Sequence, residues 1–189
     1  MTWVYFITHP EVMIDPAVPV TQWNLSLYGR ARMHNLLGQP WMRNIGRSDE
    51  RKAIEAAGMT GDAIGIPPRQ LPDLGENDRA STGYLPKAEF AATADAFFVT
   101  PNPSVRGWET AAYAQARIVA AVSAVTKQSA EDRDIALVSH GGVGTLFLCK
   151  LKTCPINRAD DQPGEGAETI SRSMHRPDRR VMAGNRSTK

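Results

Sequence analysis

DIALVSHGGVGTLFL, residues 134–148, joins a short apolar run to two glycines and a second apolar run. The run at 135–138 is partly β-branched and too short for a helix, which indicates a buried strand. Gly141 and Gly142 interrupt it, and residues 143–148 are apolar enough to open a helix. Because the first N–H groups of a helix are free and carry partial positive charge, this unit predicts an anion site, with His140 as the last residue of the strand.

A second histidine occupies the same kind of position near the start of the chain. Residues 3–7, WVYFI, are typical of a strand, and Pro10 ends it directly after Thr8 and His9. The carboxyl ends of parallel strands lie at one edge of a sheet, so we expect His9 and His140 to face each other there. Residues 11–24 contain several prolines and turn formers and are predicted to be a loop that lines this site.

The rest of the pattern alternates helices with short strands. Ser26 is a good N-cap for a helix reaching residue 37, in which Tyr28 is available to bury and His34 is expected to be structural or exposed. Further helices are predicted from about residue 48, over 86–98 and over 108–125, with a short or edge strand within 66–74. This alternation predicts an α/β domain with helices on both faces of a largely parallel sheet.

The last part of the chain has a different composition. Large apolar residues are few and arginines many between residues 164 and 189. Such a segment buries little apolar area to offset its ordering entropy. We therefore expect one domain over residues 1–164 and a basic, weakly patterned tail over 165–189 without a closing strand.

Composition narrows the classes of partner. The chain has 189 residues, enough for one domain with a core, and its formal net charge of +2 favours neither nucleic acid nor a membrane surface. Cys149 and Cys154 lack zinc-site spacing and indicate reduced thiols in the cytoplasm. The apolar start is too short to span a membrane and has no basic residues before it. The sequence gives no indication of oligomeric state.

Four features follow one another in an order that resembles a known family. His9 follows a first strand, Arg51 lies in the stretch SDERKA, Glu76 lies in the acidic loop LGEND, and SHGG follows a late strand. Together they resemble the histidine phosphatase superfamily, which has the phosphoglycerate mutase-like fold, over roughly residues 3–164. The resemblance implies a three-layer α/β/α architecture with a mostly parallel sheet.

The resemblance also implies a mechanism. His9 would attack phosphorus and become phosphohistidine, since a neutral imidazole is a good nucleophile and covalent catalysis divides a very slow reaction into two steps. Arg51 and His140 would hold the phosphoryl oxygens, helped by backbone N–H groups at Gly141. Glu76 would protonate the leaving oxygen and later activate water. The implied substrate is a phosphorylated small molecule or phosphoprotein, with no metal or other cofactor, and the compact chain favours a phosphatase over a mutase.

Thr8–His9–Pro10 stands where the family has Arg–His–Gly. A charged hydrogen bond is worth about 1.5–3 kcal/mol, so the missing arginine would weaken phosphate binding roughly 10- to 100-fold. Thr8 would stand in the substrate site where the family has that arginine, and Arg43, Arg47 or a loop residue would supply the missing contact. A member that binds a phosphorylated ligand without turnover is therefore the alternative interpretation.

Three other classes fit less well. An α/β-hydrolase would need a GxSxG elbow, which the chain lacks. Nucleotide binding would need a P-loop lysine or a third Rossmann glycine, and residues 141–145 contain neither. His9, Glu11 and Asp15 are too sparse for a metallohydrolase. For Arg51 itself, the competing interpretation is a solvated basic face of its helix.

Overall fold

The computed structural model describes residues 2–37, 45–128, 134–161, 169–174 and 181–182. The strands are β1 (Thr2–Thr8), β2 (Ile45–Arg47), β3 (Arg69–Gln70), β4 (Ile135–Ser139), β5 (Thr169–Met174) and β6 (Val181–Met182). The helices are α1 (Leu27–His34), α2 (Arg51–Ile64), α3 (Lys87–Val99), α4 (Ala111–Gln128) and α5 (Gly141–Lys152), with short 3-10 turns at Val20–Gln22 and Pro72–Leu74.

The strands form one mixed sheet in the order β3-β2-β4-β1-β5-β6. The first four are parallel, whereas β5 runs antiparallel to β1 and β6 antiparallel to β5. In the β1–β4 register Thr8 lies opposite Ser139. The residues that follow them, His9 and His140, therefore leave the sheet at the same edge.

Helices cover both faces of the sheet. Phe6 and Leu137 belong to a core that includes residues of α3, α4 and α5, whereas Ile7 and Val138 belong to a second core with residues of α1 and α2. Adjacent residues of a strand point to opposite faces, which is why neighbours in β1 and β4 enter different cores. The predicted three-layer fold with a mostly parallel sheet is confirmed.

Several local predictions need correction. Ser26 caps α1 as expected, its hydroxyl accepting from the Gly29 N–H at 2.9 Å, but Tyr28 is exposed and Met33 fills the core instead. β2 was not predicted, because three residues are too few for a periodicity to show. Helix α2 begins at Arg51, so Asp49 and Glu50 precede it.

The expectation of no closing strand is wrong. Six residues of β5 pair with β1, from Thr2 opposite Met174 to Ile7 opposite Thr169. The expected boundary at residue 164 thus excludes two strands of the sheet. The composition of residues 164–189 reflects only how much apolar area they can bury, whereas the backbone N–H and C=O groups at the edge of β1 also favour strand pairing.

Two general features complete the description. Cys149, which is buried, and Cys154 are free thiols. Within the described ranges, no helix has both the length and the apolar character needed to cross a membrane.

Candidate active site

His9 follows β1 and has a fixed ring orientation. Its backbone N–H donates to the Ser139 carbonyl at 3.0 Å, and its Nδ1 lies 2.8 Å from the Pro10 carbonyl oxygen. A carbonyl only accepts, so we assign the proton to Nδ1 and the lone pair to Nε2. Burial, followed by the charge of Lys52, lowers the pKa of His9 to about 4. The imidazole is therefore neutral near pH 7, with Nε2 able to act as a nucleophile.

His140 is the N-cap of α5, one residue past the end of β4, and it is fully buried. Its ring centroid lies 5.1 Å from that of His9 in an edge-on arrangement, so the two histidines meet as the sequence predicted. Its Nε2 lies 2.7 Å from Ser48 Oγ and 3.3 Å from Glu50 Oε1. Burial holds the pKa of His140 well below its ordinary value. The facing carboxylate favours a proton on Nε2 of this neutral ring.

Arg51 does not join the histidines. Its side chain is exposed, and its Nε donates to Asn24 Oδ1 at 3.0 Å. Lys52 is buried instead, with its Nζ 2.5 Å from Glu50 Oε2 and 2.9 Å from the Val20 carbonyl oxygen. Successive residues of a helix point about 100° apart, so Arg51 and Lys52 face different directions. The prediction that Arg51 reaches both histidines is wrong, and Lys52 is the cation beside them.

Glu50 is a buried carboxylate at the centre of the cluster. Its Oε1 accepts from the Glu76 N–H at 2.8 Å and lies 3.3 Å from His140 Nε2, while Oε2 pairs with Lys52. Burial raises the pKa of Glu50, but His140, Lys52 and the hydrogen bonds to the carboxylate together lower it to about 2. Glu50 is therefore ionised near pH 7 and cannot serve there as a proton donor.

Glu76 lies against the N-terminus of α5. Its two oxygens accept from the N–H groups of Gly142 at 3.0 Å and Val143 at 2.9 Å, and Oε1 also accepts from the Asn77 N–H at 3.1 Å. These are free first-turn donors of the helix, so the carboxylate caps it. The side chain predicted to be the acid thus lies at the start of α5, the helix that follows His140, but it is engaged in helix capping.

Thr8 and Gly141 were predicted to bind substrate. Thr8 is buried, and its methyl carbon lies 3.6 Å from the place a Cβ on Gly144 would take, so it packs beneath α5. Gly141 is the first residue of α5, and the space around its Cβ position is open. Its N–H has no acceptor among the described residues, which leaves it available to an anion.

Arg79 supplies a second cation. Its guanidinium carbon lies 5.1 Å from the centroid of Phe90 and 5.7 Å from that of Trp108. Its positive charge is among the influences that lower the pKa of both His9 and His140, after burial, which is the largest for each. Aromatic faces attract a guanidinium and restrict its orientation.

A cleft of about 620 Å³ opens beside this cluster. The loop after β1 contributes Val20, and the loop after β3 contributes the run from Gly75 to Ala80, including Asn77, whose buried Nδ2 has no partner among the described residues. Glu50 lines the cleft, whereas His140 does not and has no exposed surface. Glu50 therefore lies between His140 and the cleft.

Sequence reasoning did not single out Ser48, Glu50, Lys52 or Arg79. One signal was present for Lys52. It stands four and eight residues before Ala56 and Thr60, so it continues the buried stripe of α2, to which Arg51 does not belong. No comparable pattern marked the other three, because they lie in loops or at a helix start.

Comparisons with known proteins indicate one family and one fold. A family model described as the histidine phosphatase superfamily (branch 1) matches residues 29–183, a range that begins after His9. No curated protein matches the chain. YhfR from Bacillus stearothermophilus is similar in structure, with a TM-score of 0.79, 20% identity and coverage of 96% of this chain and 95% of that one.

Two other solved structures are similar. The mycobacterial glucosyl-3-phosphoglycerate phosphatase has a TM-score of 0.76 at 22% identity, covering 93% of this chain and 91% of that one. The phosphoglycerate mutase from Bacillus anthracis has a TM-score of 0.69 at 17% identity, covering 90% and 86%. At such identities the likeness shows the fold.

Proposed function

Because the chain belongs to the histidine phosphatase superfamily, branch 1, we propose that it hydrolyses a phosphate monoester through a phosphohistidine intermediate on His9. The observation that carries this proposal is the orientation of His9. Its Nδ1 is held by the Pro10 carbonyl, its Nε2 has no hydrogen-bond partner among the described residues, and its ring meets that of His140 at the edge of the sheet. A neutral, oriented imidazole is what attack on phosphorus requires.

In the first step His9 Nε2 attacks phosphorus, and the bond from phosphorus to the ester oxygen breaks as the N–P bond forms. The departing oxygen takes a proton, which we assign to the Glu76 carboxyl group. Both Glu76 oxygens accept hydrogen bonds from backbone N–H groups. One of these hydrogen bonds must therefore break before the carboxyl group can take up and deliver the proton. In the second step water attacks phosphorus, its proton passes to Glu76, and the N–P electron pair returns to His9 as phosphate leaves.

Three groups are suited to the phosphoryl oxygens. Arg79 brings a positive charge, the N–H of Gly141, the first residue of α5, has no acceptor among the described residues, and His140 faces His9. Such donors stabilise the charge that develops on a transferring phosphoryl group. We also propose a reducing, cytoplasmic setting, which the free thiols of Cys149 and Cys154 support.

One observation favours the second candidate function, binding of a phosphorylated ligand without turnover. Thr8 is uncharged, and the positive charge of Lys52 is paired with Glu50. The cluster therefore has less net positive charge than it would have with an arginine at position 8 and an unpaired Lys52. Hydrolysis requires the site to stabilise the charge of the transition state, whereas binding of a ligand does not.

Hydrolysis of phosphate esters without added metal separates the two functions. The panel should contain an aryl phosphate, 3-phosphoglycerate and glucosyl-3-phosphoglycerate, the last two because structural neighbours are named for such compounds. We expect His9→Ala to abolish turnover and His34→Ala, a change at an exposed histidine of α1, to leave it unchanged. Brief reaction with a radiolabelled ester should yield acid-labile, base-stable label on the wild type and none on His9→Ala.

Glu76→Ala tests the assignment of the acid. An aryl oxygen leaves readily without a proton, so the variant should keep most of its aryl phosphatase activity and lose about 100-fold or more with alkyl esters. Equal losses on both ester types would contradict the proton-donor role. Turnover that survives His9→Ala unchanged would refute the phosphohistidine mechanism, and phosphate binding without turnover of any ester would favour the binding function.

A further inference from the structure

Glu50 occupies hydrogen-bonding groups that an anionic ligand would need. Its two oxygens contact three donors: the Glu76 N–H at 2.8 Å, His140 Nε2 at 3.3 Å and the Lys52 ammonium group at 2.5 Å. A backbone N–H, an imidazole and an ammonium are also donors that bind phosphoryl oxygens in proteins. An internal carboxylate therefore has the coordination expected of a bound anion.

The position of Glu50 strengthens this comparison. Glu50 lines the cleft, while His140 is fully buried behind it and Lys52 is 2% exposed. A phosphoryl group that enters from the cleft meets Glu50, which lines it, before it can reach His140 or Lys52, which do not. The carboxylate thus blocks part of the path and repels an incoming dianion.

We propose that Glu50 is a resident carboxylate that occupies one phosphoryl-oxygen position of the site and thereby sets its affinity for phosphate. A phosphoryl group binds with its full set of contacts only after the Glu50 side chain moves aside and releases His140 and Lys52. Glu50 controls the affinity of the site for phosphate in this scheme, and it takes no part in proton transfer. The proposal rests on the proposed function only in placing the phosphoryl group beside His9.

The charge balance gives the expected direction. With Glu50 in place, the positive charge of Lys52 is compensated within the protein. Replacing Glu50 by glutamine keeps the size and an oxygen that can accept from the Glu76 N–H, but leaves Lys52 uncompensated. A phosphate dianion then restores the balance, so its binding should become tighter even as the unliganded protein becomes less stable.

Titration calorimetry with inorganic phosphate tests the proposal on Glu50→Gln beside the wild type. We expect the variant to bind phosphate about 10- to 100-fold more tightly, as removal of a nearby like charge allows. The matched control is Asp49→Asn, which removes the same charge from the adjacent exposed residue at the rim of the same cleft. It should change the affinity by less than about threefold, because it lies outside these contacts.

Two results would overturn the proposal. One is an affinity of Glu50→Gln equal to or weaker than that of the wild type, and the other is an equal gain in both variants, which would show a general charge effect. If Glu50→Gln does not fold, Glu50→Asp is the second variant, because it keeps a negative charge for Lys52 but shortens the side chain by one methylene. Glu50→Asp should also bind phosphate more tightly than the wild type. An unchanged affinity in Glu50→Asp would overturn the proposal as well. Phosphate binding is measured without turnover, so failure of the phosphatase function would be recognised separately, in the ester assays.

Discussion

Arg79 differs from the other cation of the site in what surrounds it. Lys52 is paired with Glu50, whereas Arg79 has no carboxylate partner among the described residues and lies over two aromatic rings. Aromatic contact orients a guanidinium without neutralising its charge. Arg79 is therefore the residue best suited to meet a phosphoryl oxygen, and Arg51, which contacts Asn24, is not.

Arg79→Gln should lower kcat/KM for a phosphate ester about 10- to 100-fold, because a charged hydrogen bond of about 1.5–3 kcal/mol is lost. Arg51→Gln removes the same charge from an exposed position and should change kcat/KM by less than about twofold. Steady-state kinetics on both variants, with melting temperatures to check folding, make the comparison. A larger loss of kcat/KM in Arg51→Gln than in Arg79→Gln would instead support Arg51 as the arginine that holds the phosphoryl group.

The N-terminus of α5 is the element that assembles the site. It begins directly after His140, and its first N–H groups hold Glu76. A Cβ on Gly142 would lie 2.7 Å from Glu76 Oε1, whereas one on Gly141 would meet no atom within 4 Å. The two neighbouring glycines therefore differ: Gly142 makes room for the Glu76 carboxylate, whereas the Cβ position of Gly141 borders open space.

Gly142→Ala should displace Glu76 from its helix cap, lowering the free energy of unfolding by about 1–2 kcal/mol, as loss of a capping interaction typically does. Activity on alkyl esters should fall with it. Gly141→Ala should be neutral or stabilising by up to about 1 kcal/mol, because alanine is the better helix former. Urea unfolding of both variants measures the difference, and equal stabilities would mean that Glu76 does not depend on Gly142.

At the scale of the whole molecule, the sheet continues beyond β1. β5 covers the edge of β1 over six residues, and β6 adds to β5. His9 directly follows β1, so the strand that positions the proposed nucleophile is an inner strand only because β5 is present.

Truncation after residue 164 removes β5 and β6 and exposes the N–H and C=O groups along the edge of β1. We expect a lower melting temperature and self-association through that edge, because unpaired edges template further pairing. Truncation after residue 182 keeps both strands and should behave as the full chain does. Light scattering and thermal unfolding test this, and a monomeric 1–164 chain of undiminished stability would support the domain boundary expected from composition.

Stability should also depend on pH in a particular direction. The pKa of His9 is about 4 in the folded protein, below the ordinary value near 6.5, and that of His140 is lowered as well, mainly by burial in both cases. Between pH 6.5 and 4 the unfolded chain therefore binds more protons, and the free energy of unfolding falls as the pH falls. Glu50, with a pKa of about 2 against an ordinary value near 4.5, adds a further loss below about pH 4.5.

Urea unfolding at pH 7, 5.5 and 4.5 measures this slope. His9→Asn, which cannot take up the proton, should reduce the loss between pH 6.5 and 4.5, while His34→Ala, at an exposed histidine, should not alter it. Stability that is constant from pH 7 to 5 would show that the histidines titrate normally in the folded protein.

The sequence by itself determined the main elements and the edge at which the histidines lie. Apolar runs at β1 and β4, each followed by a histidine and a turn, were sufficient, because period and turn chemistry are local properties of the chain. The order of His9, Arg51, Glu76 and His140 in the chain led to the family that the comparisons show, although Arg51 does not lie where that resemblance implied.

Only the tertiary structure decided which charged side chains surround His140. The point where α2 begins and the rotation of that helix direct Lys52 inward and Arg51 outward, and the path of the loops brings Glu50 and Glu76 to the start of α5. It also decided that β5 pairs with β1. The physical reason is that these contacts join residues far apart in sequence, so they depend on how elements pack and not on the local pattern of either partner.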